Sequence, residues 1–165
     1  MFSECDNLTT LDLHKFKTEN ATDMSYMFYK CINIKNIKLF NNTKNVNNMC
    51  YMFYHCNNLS NINLSSFDTN KVKDMHSMFE SCKNLTSLDL SSFNTENVSN
   101  INNMFANCEN LKSLNLFSFD INHVNNGMMF PGCKQLENIK IKKNQIQKIK
   151  EFLEESKIEN KIKYD

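Results

Sequence analysis

The sequence predicts an α/β solenoid, with short parallel strands on one face, short helices on the other and a C-terminal capping helix. Three observations predict it. One cysteine returns at a nearly fixed interval. Inside each interval the apolar spacing switches from alternation to a helical period. In the tail the repeat gives way to an apolar stripe on a charged background.

The recurring residue is Cys5, Cys31, Cys56, Cys82, Cys108 and Cys133, at intervals of 26, 25, 26, 26 and 25 residues. Aligned there, each unit reads C-x-x-L-x-x-L-x-L-x-x-F-x-T-x-x-V-x-x-M-x-x-M-F-x-x-C. Self-similarity at such a period marks stacked repeats, because one unit cannot bury its apolar face alone. Within the fourth unit, Leu88 and Leu90 alternate, which is the strand signal. Val98, Ile101, Met104, Phe105 and Cys108 then follow one face of a short helix. Asp23, Asn48, Asp74, Asn100 and Asn126 precede that segment and are expected as N-caps. Asn7, Asn33, Asn58, Asn84 and Asn110, with Gln135 last, precede the first Leu and are expected to carry the turns that glycine would otherwise make.

Two units lack one residue, between Leu39 and Thr43 and between Val124 and Met129, and kinks are expected there. In the first, Phe40 is expected to replace the missing core Phe; in the second, Ile121 stands for Thr and Gly127 lies near the expected Met. The repeats occupy residues 1–144, about five and a half rungs beginning mid-repeat, and residues 145–165 form the cap. In the cap, Ile146, Ile149, Phe152 and Leu153 make the helical stripe, and Ile162 and Tyr164 alternate as a final strand.

Composition excludes several functions. Lys and Arg together number 19 and Asp and Glu 18, so there is no electrostatic case for nucleic acid. Every basic residue among these is Lys; the bidentate fork of Arg for phosphate is absent. No apolar run is long enough to span a bilayer, and the first residues show no leader pattern. The cysteine column reads as reduced, buried thiols, because parallel Cβ vectors on stacked rungs suit a disulfide poorly. Cys50 breaks the pattern, at a station expected to face outward as an accessible thiol. The histidines His14, His55, His76 and His123 fall in different rungs and are expected on the solvated surface, with no Cys-His-Asp set converging. Without a C-x-x-C pair, no metal site, cofactor or catalytic residue is expected.

The segments Leu88-Asp-Leu-Ser-Ser-Phe-Asn-Thr95 and Met104-Phe-Ala-Asn-Cys108, with Val98 between them, resemble the repeat of BspA-like leucine-rich-repeat surface proteins. The resemblance runs from Met1 to about Ile141. It implies a leucine-rich-repeat solenoid and a role in surface exposure, adhesion or protein interaction. It transfers no catalytic residue, since the shared positions are core.

The function read from the sequence is a non-enzymatic protein–protein interaction module, with adhesion to a host or neighbouring cell as its leading form. The alternative is an intracellular scaffold or regulatory protein that assembles end to end, or onto upstream repeats, through its N-terminal rung. The strand-face columns are polar and lack an aromatic anchor. The helix face instead aligns Tyr26 and Tyr29 with Tyr51 and Tyr54, at stations that later rungs fill with Ser77, Glu80, Asn103 and Ala106. These four tyrosines, with Phe117 beside the core Phe119, are the expected partner contacts.

Overall fold

The computed structural model describes residues 1–124, 127–158 and 162–164. Its repeats stack in parallel. Strands β1 (Thr10–Asp12) and β2 (Asn36–Lys38) form one sheet, and β3 (Ser87–Asp89), β4 (Ser113–Asn115), β5 (Asn138–Lys140) and β6 (Lys163–Tyr164) form another. The register advances by one repeat per strand, pairing Leu88 with Leu114 and Leu114 with Ile139. Alternation places those three side chains inward, buried, between polar neighbours.

The third rung should supply a strand over residues 61–63, but none forms there. The residue missing between Leu39 and Thr43 pulls Phe40 into the core, fully buried and stacked on Phe67 at 5.7 Å. That restores the packing of the shortened rung and leaves its strand without a ladder to the next one. The kink expected at the second deletion falls on residues 125 and 126, as does the N-cap role of Asn126; both lie outside the described residues.

The opposite face is not helical. Among the described residues the α-helix is α1 (Ile146–Glu155), in the tail. The segment from Met24 to Cys31 is instead a run of overlapping turns, closed by Met27 N–H to the Met24 carbonyl (3.4 Å), Tyr29 to Tyr26 (3.2 Å) and Cys31 to Phe28 (3.1 Å). Alternate N–H groups leave the rung altogether. Tyr26, Phe28 and Lys30 donate to the Cys50, Met52 and Tyr54 carbonyls of the next rung at 3.1, 2.9 and 2.7 Å. Tyr26 and Lys30 hold φ of 57° and 54°, a left-handed conformation that a right-handed helix excludes. Rung spacing supplies the reason. Asp23, Asn48, Asp74 and Asn100 join successive rungs by parallel bridges, so this face is held near strand separation, about 4.8 Å. Helices, roughly 10 Å across, cannot stack that closely.

The polar columns also differ from expectation. Asp23, Asn48, Asp74 and Asn100 do accept an orphan N–H, from Ser25, Cys50, His76 and Asn102 at 2.7–3.2 Å, but as Asx turns with no helix to cap. The Asn column does lie in turns, each closed by the next residue's N–H donating to the column cysteine's carbonyl, as Leu85 does to Cys82 at 3.1 Å, but not in the left-handed conformation. Positive φ falls just before each cysteine, at Glu4, Lys30, His55, Ser81, Asn107 and Gly132. The Asn column also forms an amide ladder: Asn58 donates to Asn33 (3.0 Å), Asn84 to Asn58 (3.2 Å) and Gln135 to Asn110 (3.1 Å).

The core is a set of side-chain columns. Phe2, Phe28, Phe53, Phe79, Phe105 and Phe130 stack at 5.3–5.9 Å with planes within 10° of parallel. The cysteines lie beside them, all free; Cys5 is half-buried and the others buried. Each buried column member donates its thiol to a Phe carbonyl one rung back, as Cys82 does to Phe53 at 3.2 Å and Cys108 to Phe79 at 3.0 Å. Thr43, Thr69 and Thr95 bridge rungs in both directions, each hydroxyl donating to a carbonyl and accepting the same residue's N–H at 2.8–2.9 Å. Where Ile121 replaces Thr, buried Gln145 accepts the Ile121 N–H at 3.0 Å. Ile149, Phe152 and Leu153 of α1 are buried against the last rung. Phe152 sits against Gly127, in space a β-carbon there would need.

Candidate functional site

The turn face brings the four tyrosines together. The turns repeat from rung to rung, so equivalent stations stack. Tyr26 lies on Tyr51 with ring centroids 4.8 Å apart, and Tyr29 on Tyr54 at 5.0 Å. Across the pair, Tyr26 meets Tyr29 at 5.3 Å and Tyr51 meets Tyr54 at 5.3 Å, so the rings form a two-by-two block. Tyr26 is 44% exposed and the other three are half-buried. Partial burial raises the Tyr26 and Tyr54 hydroxyls above the ordinary tyrosine value. Tyr26 and Tyr51 both carry φ of 57°, so each ring is presented from a left-handed turn residue.

The block has a charged rim. Lys30 places its ammonium 5.1 Å from the Tyr29 ring and pairs with Glu4 at 3.7 Å. His55 packs on Tyr54 at 4.4 Å, and burial lowers its pKa. On the other side, the Tyr51 ring meets His76 edge-on at 4.4 Å. Phe117 is 48% exposed on the strand side, with the Lys140 ammonium 5.8 Å from its ring. It stands apart from the tyrosines, so the five expected contacts form two separate features.

Three expectations fail here, the last only in part. Cys50 is not an accessible thiol: it is 6% exposed, flanked by Asn48, Ser25 and Asp74. Burial, with the Asp74 carboxylate adding to it, raises its pKa. A Cys-His-Asp set does converge: single ligating atoms of Cys50, Asp74 and His76 all lie within 4.8 Å of one another. His76 Nδ1 meets Asp74 Oδ1 at 2.8 Å. The signal was present in the sequence, because Cys50 and His76 are one 26-residue period apart and a stacked fold puts them in adjacent rungs. Nor are the histidines uniformly solvated. His14, beside Asp12, and His123, whose Nε2 lies 2.9 Å from the Val98 carbonyl, are exposed as expected, while His55 and His76 are half-buried.

No helix is long and apolar enough to cross a membrane, among the described residues. No curated protein matches the sequence. The fold is similar to that of a leucine-rich repeat protein from Bacteroides ovatus ATCC 8483, with a TM-score of 0.55 and 20% identity, over 84% of this chain and 33% of that one. The chain spans about a third of that protein's length, and at this identity the likeness shows the fold alone: an α/β repeat protein. Residues 1–60 and 31–144 match the family described as "Mycoplasma protein of unknown function, DUF285", and the chain belongs to that family.

Proposed function

We propose that the chain is a non-enzymatic protein-interaction module whose contact surface is the tyrosine block on the turn face. One observation carries this reading: Tyr26, Tyr29, Tyr51 and Tyr54 stack into a partly exposed aromatic surface that the repeat does not require, since later rungs hold Ser77, Glu80, Asn103 and Ala106 at the same stations. Tyrosine offers large contact area with few rotatable bonds and a hydroxyl for the partner, the chemistry of interface hot spots. Stacked rings on one rigid scaffold are already ordered, so little side-chain entropy is lost on contact. Phe117, with Lys140, supplies a smaller second contact. The module is an elongated solenoid, and its likeness to BspA-like surface proteins favours a partner on a host or neighbouring cell.

A second reading is assembly between copies through the first rung. Met1 and Phe16 favour it, 78% and 42% exposed, beside a groove that Met24 and Met27 also line. One experiment separates the two. Immobilised wild-type chain is expected to retain a partner from extracts of host and own cells. The Tyr26→Ser/Tyr51→Ser variant is expected to retain at least tenfold less while melting at the same temperature. Equal retention would remove the tyrosine surface. Concentration-dependent sedimentation, lost in Phe16→Ser and unaltered in the tyrosine variant, would establish self-assembly instead.

A further inference from the structure

The turn face also sets three metal-ligating side chains side by side. Asp74 belongs to the Asx column, and its Oδ1 accepts the His76 N–H at 2.9 Å, which fixes both side chains at the start of the same turn. Cys50 occupies in the preceding rung the station that His76 occupies in its own, and the Asp74–Asn48 bridge holds the two rungs in register. As a result Cys50, Asp74 and His76 each bring one ligating atom within 4.8 Å of the other two. The fold does not need these residues: equivalent stations hold Ser25 and Asn102 in place of Cys50 and His76, and Asn48 and Asn100 in place of Asp74.

The donors are a sulfur, an imidazole nitrogen and a carboxylate oxygen, which together suit borderline divalent ions and disfavour magnesium or calcium. A tetrahedral ion with bonds of about 2.3 Å to sulfur and about 2.0 Å to nitrogen needs those atoms roughly 3.6 Å apart. The three atoms, within 4.8 Å of one another, stand within about an ångström of that spacing. Tyr51, edge-on to His76 at 4.4 Å, walls one side, and Cys50 is 6% exposed. A nucleophilic role fits less well, because a reactive thiol needs access and a cationic neighbour, whereas Cys50 is buried with a carboxylate close by.

We propose that Cys50 Sγ, a ring nitrogen of His76 and a carboxylate oxygen of Asp74 bind one divalent transition-metal ion of the zinc type, with water completing the shell. Binding exchanges the thiol proton for the ion: the S–H bond breaks, the sulfur keeps the electron pair and gives it to the metal, and the proton leaves to solvent. The ion ties two adjacent rungs together directly beneath Tyr51.

The test is titration of the metal-free full-length chain with Co²⁺, whose thiolate complexes absorb in the near ultraviolet. The expected result is a thiolate-to-cobalt band that saturates at one equivalent, is bleached by Zn²⁺ and is abolished in Cys50→Ser. His76→Asn and Asp74→Asn are expected to weaken binding at least tenfold. Each substitution copies a residue from a neighbouring rung, so the metal-free variants should match the wild type in circular dichroism. Absence of the band, its survival in Cys50→Ser, or undiminished affinity in both other variants would overturn the site. Zn²⁺ gives a second readout, raising the thermal midpoint of the wild type and leaving that of Cys50→Ser unchanged.

Discussion

Cys82 and Cys108 are fully buried, and each gives its thiol hydrogen to a backbone carbonyl one rung away. Burial therefore pushes both thiols well above the ordinary value of 9.0, and pushes Cys133 up to about 12. The sign of the linkage follows. A folded thiol that keeps its proton where the unfolded one has lost it makes stability fall as pH rises. The contribution is complete below pH 9 and declines between the ordinary value and the folded one. Urea midpoints are expected to fall above pH 9, each buried thiol adding about 1.4 kcal/mol per pH unit inside that window. Cys82→Ala should flatten the decline. An unchanged slope would show that the thiols are not what titrates. The identity of the column was legible in the sequence, because a regularly spaced cysteine reads as core. Its hydrogen bond was not, since donor and acceptor sit in different repeats, 29 positions apart.

At the scale of the element, strands were legible and helices misled. Leu88 and Leu90 alternate, and β3 forms where they do. The spacing of Val98, Ile101, Met104, Phe105 and Cys108 fits a helix face, but it equally fits successive turns that each return one side chain to the core. Periodicity alone does not separate these; the distance to the next rung does. The tail helix was legible because its apolar stripe lies on a charged background, and Ile149, Phe152 and Leu153 are buried as the stripe implies. The unpaired third rung makes a prediction at this scale. Amides over residues 61–63 lack ladder partners, so in native-state hydrogen exchange they should lose protection well before Ser87–Asp89, whose neighbouring strand β4 is paired on both sides. Equal protection would show that a strand forms there in solution. Gly127 yields another: Gly127→Met refills the repeat's usual station but collides with Phe152, and should destabilise by about 1–3 kcal/mol in denaturant titration.

Across the whole molecule, stability is a sum of rungs and the interfaces between them. The phenylalanine column runs from Phe2 to Phe130, so its central members serve two interfaces each. Phe79→Ala should cost about 3–5 kcal/mol, measured as a shift in urea midpoint, because it opens a cavity against both Phe53 and Phe105. A loss under 1 kcal/mol would mean that the rungs are only weakly coupled. Of the candidate site, the tyrosine block was legible, because four aromatic residues depart from the repeat at aligned positions. The cysteine–histidine–aspartate group is not legible within any single rung, because the stacked fold assembles it between two of them.

Most rungs meet their neighbours through the same set of connections: stacked phenylalanines, a thiol bonded to the rung before and a threonine bonded to the rung after. Because the connections repeat, a chain one whole period longer or shorter would meet matching surfaces at the new junction. Losing a single residue is tolerated too, as Phe40 shows by moving inward to fill the vacated place. Changes confined to the outer stations of one rung, such as those its tyrosines occupy, thus alter the surface without disturbing how the molecule is built.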